Sequence, residues 1–162
     1  MQIQEGEGWR LILDPRRRPF QALVGGRDWA TELREMELQA LIRGVSTLLE
    51  QHRQLQTCLM AEEEITLELD LPLTPDDGAP GAGREHGDGS LHLALEGDAR
   101  QWALRFVLTP SEGVRGIEGG WSAAASLPLA AALLALEAEN GRPAPDGSAV
   151  PPAGARQMPG WP

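Results

Sequence analysis

Six arginines within the first 34 residues are the side chains best suited to bind an anionic ligand. They are Arg10, Arg16, Arg17, Arg18, Arg27 and Arg34. Guanidinium groups neutralise phosphates, and proteins that bind single strands combine a basic groove with aromatic side chains on which bases stack. Trp9, Phe20 and Trp29 lie among these arginines. The pattern indicates a single-stranded nucleic-acid site in which the six arginines contact phosphates.

The same segment has a structural interpretation. Trp9, Phe20 and Trp29 fall on the alternating face that also carries leucine and valine, and that face is expected to be buried. The run Arg16–Arg18 lies between prolines, as in a solvated turn. All 14 basic residues are arginine, which favours carboxylate or phosphate recognition but also follows from a GC-rich coding sequence. Both interpretations stay open.

Opposite charges recur in both halves of the chain. Arg10 is accompanied by Asp28 and Glu32, and Arg115 by Glu118. Such residues on neighbouring strands form pairs that fix strand register, or they bind a small anion. We expect structural pairing.

No set of residues meets the requirements of a catalytic or metal site. Residues 62–64 and Glu68 supply carboxylates, but consecutive side chains point to different faces. Gly113–Gly120 lacks the lysine and Ser/Thr of a phosphate loop. His52, His86 and His92 fall in a helix, in the Pro/Gly-rich insertion and on a strand, and Cys58 lies toward the end of the helix. Cys58 is expected to be a buried thiol. We therefore expect no enzyme activity, no metal and no cofactor.

The charge and the cysteine content limit which partners and which cellular compartment the chain suits. The net charge is −10, and the chain without its Pro/Gly-rich segments keeps −8, which argues against strong sequence-independent nucleic-acid binding. A single cysteine excludes an internal disulfide, and no signal segment opens the chain, so we expect a cytoplasmic location. The longest apolar run, residues 123–136, is too short to cross a bilayer.

The first half has the pattern of three strands and a helix. Alternation of apolar and polar residues predicts the strands at residues 9–13, 20–24 and 29–34. Apolar residues at spacings of three and four from Leu38 to Leu59 then predict a helix of roughly six turns. Acidic residues at its start suit the helix dipole.

The second half repeats this plan. Alternation predicts strands at residues 65–71, 91–95 and 102–108, and a turn or irregular edge strand at Gly113–Gly120. A helix follows Trp121, with Pro128 in its first turn, and ends at Asn140. The sequence therefore predicts an α+β fold of two repeats, each with an antiparallel sheet and a helix.

Two segments are poor in apolar residues and rich in proline and glycine. Residues 73–89 form a predicted disordered hairpin insertion, and residues 141–162 a predicted disordered tail. Residues 7–139 then form one domain. Trp161, at the end of the tail, is a candidate anchor for a partner protein.

Short segments between residues 7 and 137 resemble a small family of uncharacterised cyanobacterial proteins. They are Gly8-Trp9-Arg10, Asp14-Pro15, Gly25-Gly26, Asp28-Trp29-Ala30, Glu32-Leu33, Glu62-Glu63, Glu68, Leu104-Arg105-Phe106, Arg115, Glu118-Gly119 and Trp121. The resemblance implies a fold grouped with single-strand-binding transcriptional regulators such as Whirly and the positive transcription cofactor. It supplies no binding or catalytic residues, because fold does not carry function. The insertion and the tail depart from the family pattern.

Two functions follow as hypotheses for a non-enzymatic binding or regulatory module. The first is single-stranded nucleic-acid or transcription-related binding, from the fold resemblance and the arginines. The second is an acidic protein–protein adaptor, from the net charge, the long first helix and the Trp161 tail. Association of two copies through their long helices is a further hypothesis. A continuous basic face formed by the six arginines favours the first function, whereas interleaved acids of the second repeat disfavour it.

Overall fold

The computed structural model describes residues 1–73, 89–110 and 116–140. It contains two four-stranded antiparallel sheets, each followed in the chain by one helix. The first repeat consists of β1 Gln2–Gly6, β2 Trp9–Leu13, β3 Phe20–Gly25, β4 Ala30–Arg34 and α1 Glu35–Leu55. The second consists of β5 Ile65–Pro72, β6 Ser90–Gly97, β7 Trp102–Thr109, β8 Ile117–Trp121 and α2 Ala123–Asn140. The predicted α+β class with two sheet-and-helix repeats is confirmed.

Strand β1 is an element that the sequence pattern did not reveal. It pairs antiparallel with β2, from Gln2 opposite Leu13 to Gly6 opposite Trp9. Its only apolar side chain is Ile3, so the alternation that marks a half-buried strand is too weak to detect. The first sheet therefore begins before residue 7, where the predicted domain starts.

Helix α1 buries the apolar stripe that its sequence predicts. Leu38 is 4% exposed and Leu48 is fully buried. Gly44 lets the helix approach the second sheet closely, because a Cβ at that position would overlap the side chain of Leu93. The helix ends at Leu55, earlier than predicted, and the Leu59 N–H still donates to the Leu55 carbonyl in the turn that follows.

Helix α2 begins at Ala123, so the prediction that Pro128 lies in its first turn is wrong. The Ser122 carbonyl accepts the first backbone hydrogen bonds, from the N–H groups of Ala125 and Ser126. The buried Ser126 hydroxyl accepts the Leu104 N–H at 2.9 Å and lies 2.9 Å from the Ser122 carbonyl, to which it can donate. These bonds start the helix upstream of the proline and tie it to β7.

The two helices lie between the sheets and join them in one core. Helix α1 contacts β3, β4, β5 and β6, and helix α2 contacts β1, β2, β7 and β8. Side chains at most 2% exposed come from both sheets and both helices, including Leu11, Val24, Leu93, Leu104 and Leu133. Within the described residues, neither helix covers the outer face of either sheet.

Two tryptophans connect the repeats reciprocally. The Trp29 indole N–H donates to the Gly120 carbonyl at 3.2 Å, and the Trp121 indole N–H donates to the Gly25 carbonyl at 2.8 Å. The two rings lie 5.1 Å apart, and Phe106 contacts both, at 5.6 Å from Trp29 and 5.4 Å from Trp121. We call this arrangement the tryptophan clasp. Each repeat therefore depends on a carbonyl of the other.

Several sequence predictions fall outside the described residues. The proposed insertion at 73–89 does so except for Leu73 and Gly89, and the tail at 141–162 does so entirely. Arg115, His86 and Trp161 also lie outside the described residues. Within the part of the chain that the structure describes, no helix has the length and apolarity needed to cross a membrane.

Alanine at Gly119 is expected to destabilise the fold, because the added Cβ would lie 2.7 Å from Phe106 Cε1 and 2.9 Å from two atoms of the Trp29 ring. Rigid rings cannot move aside cheaply, so the free energy of unfolding should fall by about 1–3 kcal/mol. Gly116→Ala is the matched control, since a Cβ there meets no heavy atom within 4 Å. Urea unfolding followed by circular dichroism measures both variants. An equal loss in the two would contradict the role given to the clasp.

Candidate functional site

The structure places the predicted arginines on the first sheet and its turns. Carboxylates of the same sheet, its turns and the start of α1 lie close to most of them. Arg10 projects from β2, and its Nε donates to Glu5 of β1 at 2.9 Å. Arg27, in the β3–β4 turn, lies 4.0 Å from Glu7 of the β1–β2 turn. Both pairs are largely exposed to solvent. Exposed pairs contribute little to stability, but they neutralise the local field.

The arginines of the β2–β3 turn are accompanied by acids of β4 and α1. Arg17 donates to Glu32, and Arg18 lies 3.8 Å from Glu35. The Arg16 backbone N–H donates to Asp14 Oδ1 at 3.1 Å, which shapes the turn. The turn is therefore solvated, as its structural interpretation predicted, and it is braced by ion pairs.

Arg34 closes β4 and is directed to structural contacts. Its guanidinium lies 5.6 Å from the centre of the Phe20 ring, a cation–π geometry. Its backbone N–H donates to Glu37 Oε2 at 2.8 Å, which helps to start α1. These contacts place Arg34 and Phe20 in the framework of the first repeat.

The charge is divided unevenly between the sheets. Residues 2–34 hold six arginines against five acids, a net charge of +1, whereas the described residues from Glu35 onward carry −9. The carboxylates that accompany the arginines are Glu5, Glu7, Glu32 and Glu35. They all come from the first repeat, and among the described residues no acid of the second repeat pairs with these arginines. The first sheet is thus nearly neutral and internally paired.

The predicted aromatic residues do not form one stacking surface. Trp29 is held in the tryptophan clasp, and Phe20 lies beneath Arg34. Trp9, the first residue of β2, packs partly against the core. The prediction that all three join the core is confirmed in part, because each is half-buried rather than fully buried.

An apolar row crosses the outer face of the first sheet. Ile3 lies opposite Ile12, and Ile12 lies opposite Leu23, so the three side chains are neighbours across β1, β2 and β3. Ile3 is 51% exposed, and the other two are half-buried without a covering helix. The signal was present in the sequence, since Ile12 alternates onto the face of Arg10. Only strand pairing shows that Ile3 and Leu23 extend it.

A cleft of about 680 Å³ opens where the β1–β2 and β3–β4 turns lie side by side. Its lining residues are Glu5, Gly6, Glu7, Gly8, Trp9, Arg10, Gly25, Gly26, Arg27, Trp29 and Ala30. Gly8 has a φ of +76°, a conformation that favours glycine. A Cβ at Gly6 or Gly26 would overlap the indole nitrogen of Trp9 or Trp29, respectively. Glycines therefore let both indoles lie against the turns.

The outer face of the second sheet is acidic. Arg105 lies between Glu96 at 3.7 Å and Glu118 at 3.4 Å, and His92 lies 2.9 Å from Asp70. We expected oppositely charged residues to pair across the strands. Such pairs form, but between other residues than the sequence predicted. Arg10 pairs with Glu5 and Glu118 pairs with Arg105, while Arg115 lies outside the described residues.

The residues considered for catalysis stay apart. Among the described residues, no group of three or more metal-ligating side chains comes together. His52 is buried and its Nε2 donates to the Asp98 carbonyl at 2.9 Å, whereas His92 lies 2.9 Å from Asp70. Cys58 is exposed, so the prediction of a buried thiol is wrong. The helix ends at Leu55, so Cys58 lies in the exposed turn that follows it.

The pKa values that shift clearly are those of side chains in structural hydrogen bonds. Hydrogen bonds from Arg53 and Gln54 lower the pKa of Glu50 to about 2 on the exposed side of α1. Backbone N–H groups of Arg100 and Gln101 lower the pKa of Asp98 in the β6–β7 turn. Perturbed titration often marks a functional site, but neither group lines the cleft.

Two comparisons relate the chain to known proteins. The family model described as a domain of unknown function, DUF1818, matches residues 4–75. A crystal structure of a protein of unknown function from Prochlorococcus sp. NATL2A, described as a member of the DUF155 family, is 32% identical to the chain. The match covers 85% of this chain and 99% of that protein, with a TM-score of 0.68. The chain belongs to the same family as this protein.

This relationship fixes the fold and leaves the activity open. The two family labels differ, and both denote proteins of unknown function. The expected relationship to a cyanobacterial family of uncharacterised proteins is confirmed by the Prochlorococcus relative. No curated protein matches the sequence. The members of this family share a scaffold, and the chemistry must be inferred from the surface of this chain.

Phenylalanine at Trp121 is expected to lower the free energy of unfolding by about 1–3 kcal/mol, because the Gly25 carbonyl loses a buried hydrogen bond. Trp102→Phe is the control. It makes the same substitution at another buried tryptophan, whose ring contacts His52. Urea unfolding of both variants compares the two losses. A loss no larger for Trp121→Phe than for the control would show that the hydrogen bond contributes nothing measurable.

Proposed function

We propose that this protein is a non-enzymatic binding module that holds a protein partner on the outer face of its first sheet. The observation that carries the proposal is the apolar row of Ile3, Ile12 and Leu23, which no described element covers. Neutralised charges surround the row, so a partner can cover it without leaving isolated ions buried. An uncovered apolar surface with a polar rim is typical of interaction sites.

The edge of the sheet gives the partner a backbone to pair with. Strand β1 pairs with β2 on one side, and within the described residues no strand pairs with its other side. An extended segment that adds to such an edge forms main-chain hydrogen bonds and places alternate side chains on the sheet. The partner is therefore an extended protein segment with alternating apolar residues. The net charge of −10 favours a partner segment with positive charge.

Single-stranded nucleic-acid binding is the second candidate function. All six candidate arginines lie on one sheet and its turns, and the sequence resembles a family grouped with Whirly-like regulators. The likeness to Whirly stays a prediction. Against this function, Glu5, Glu7, Glu32 and Glu35 accompany the arginines, and phosphate binding requires cations that can release counterions. A protein partner is favoured for that reason.

Because acids accompany the arginines, we expect the protein not to bind a labelled single strand in a fluorescence-anisotropy titration at low salt. Replacing the accompanying acids should change this. The variant Glu5→Gln/Glu32→Gln/Glu35→Gln releases Arg10, Arg17 and Arg18 and should gain binding that weakens with salt. The control Glu62→Gln/Glu63→Gln/Glu64→Gln changes the charge equally, away from these arginines. Salt-sensitive binding by the unmodified protein would favour the nucleic-acid function instead.

Site-specific crosslinking in cells tests the protein partner directly. The photoreactive residue p-benzoylphenylalanine at Ile3 should give a discrete adduct with another protein, identified by mass spectrometry. The control position is Val107, an apolar residue 40% exposed on the outer face of the second sheet. An adduct of twice the 17.5 kDa chain mass would identify a second copy as the partner. Equal adducts at both positions, or none at Ile3, would count against the proposed surface.

A further inference from the structure

We propose that the cleft between the two turns of the first sheet binds a small molecule that carries a planar ring and one anionic group, either a carboxylate or a phosphate. The cleft lies at the end of the sheet and its lining does not include the apolar row, so this proposal goes beyond the protein partner. Its volume of about 680 Å³ falls within the range typical of small-molecule sites. Both arginine donors and indole rings line it.

The anionic group is inferred from unused donors. Arg10 uses its Nε for Glu5, and within the described residues its terminal NH2 groups make no further hydrogen bond. Arg27 lies 4.0 Å from Glu7, too far for a hydrogen bond, so its planar fork is available. Guanidinium forks match the geometry of carboxylates and phosphates. The cleft therefore offers two such groups from adjacent turns.

The carboxylates of the cleft disfavour a polyanion, whose binding needs many phosphates to be neutralised, but they do not prevent binding of one anionic group. Glu5 is already engaged by Arg10, whereas the Glu7 side chain is 95% exposed and can turn into solvent at little cost. The lining holds two arginines and two glutamates and is neutral overall. An anion consequently meets less repulsion here than on the acidic second sheet. A cation would have to compete with both guanidinium groups.

The planar ring is inferred from the indoles and the glycines between them. Trp9 and Trp29 both line the cleft, and Trp9 is half-buried. No acceptor among the described residues pairs with the Trp9 indole N–H, in contrast to Trp29, which donates to Gly120. Trp9 lies directly against Gly6 and Trp29 against Gly26, so the indoles and the glycine backbone together form the wall of the cleft. A flat group fits such a surface and stacks favourably on indole.

The test is an NMR titration of the full chain, observing the backbone amides of the four cleft glycines and the indole N–H of Trp9. The probes are adenosine 5′-monophosphate for a phosphate ligand, indole-3-acetate for a carboxylate ligand, and adenosine as the uncharged control. At least one anionic probe should give saturable shifts confined to the cleft, and adenosine should bind more weakly. Binding of one anion and not the other identifies the source of the negative charge.

Variants at Arg27 test the assigned role of its fork. Arg27→Gln should weaken binding of the effective probe about tenfold or more, because a charge-assisted hydrogen bond is lost. Arg27→Lys should restore only part of the affinity, since it keeps the charge and loses the fork. Arg43→Gln on α1 makes the same charge change outside the cleft and should have no effect. The proposal is overturned if neither anion shifts the cleft signals at about 10 mM, if adenosine binds equally well, or if Arg43→Gln weakens binding as much as Arg27→Gln.

Discussion

The tryptophan clasp is the interaction on which the arrangement of the two repeats depends. Trp29 donates to a carbonyl of β8, and Trp121 donates to a carbonyl of β3, so neither repeat completes its hydrogen bonds alone. A buried donor or acceptor without a partner costs free energy, and both indoles are large apolar surfaces as well. The clasp therefore holds the ends of two sheets together. Gly26 and Gly119 are required at the contact because a side chain at either position would overlap the Trp29 ring.

The clasp also sets the surroundings of the cleft. The carbonyl that Trp121 engages belongs to Gly25, which lines the cleft, and Trp29 forms part of the same wall. The β3–β4 turn is thereby fixed from the second repeat, while the β1–β2 turn is fixed by its own register. A site built on two such turns is preorganised, which reduces the entropy lost on binding. Stability and the candidate cleft thus share residues.

The outer faces of the two sheets differ in charge. The first sheet pairs its arginines with its own acids and with Glu35, and remains close to neutral, whereas the second surrounds Arg105 with carboxylates. A neutral face with an apolar row can be covered by a partner, because few ions lose their hydration without compensation. The acidic face keeps the protein hydrated and repels polyanions. The solved relative supports the shared scaffold and leaves these surface properties to this chain.

The class of fold could be predicted from the sequence, because strand alternation and the spacing of apolar residues in α1 depend on local periodicity. It also marked the arginine-rich segment. It could not show β1, whose single apolar residue gives no alternation, nor where α2 starts, since hydrogen bonds of Ser126 decide that. The partners of the arginines and the cleft needed tertiary structure. Both depend on which strands lie side by side. Strand pairing brings together residues such as Glu5 and Arg10, whose proximity cannot be read from the spacing of residues in the sequence.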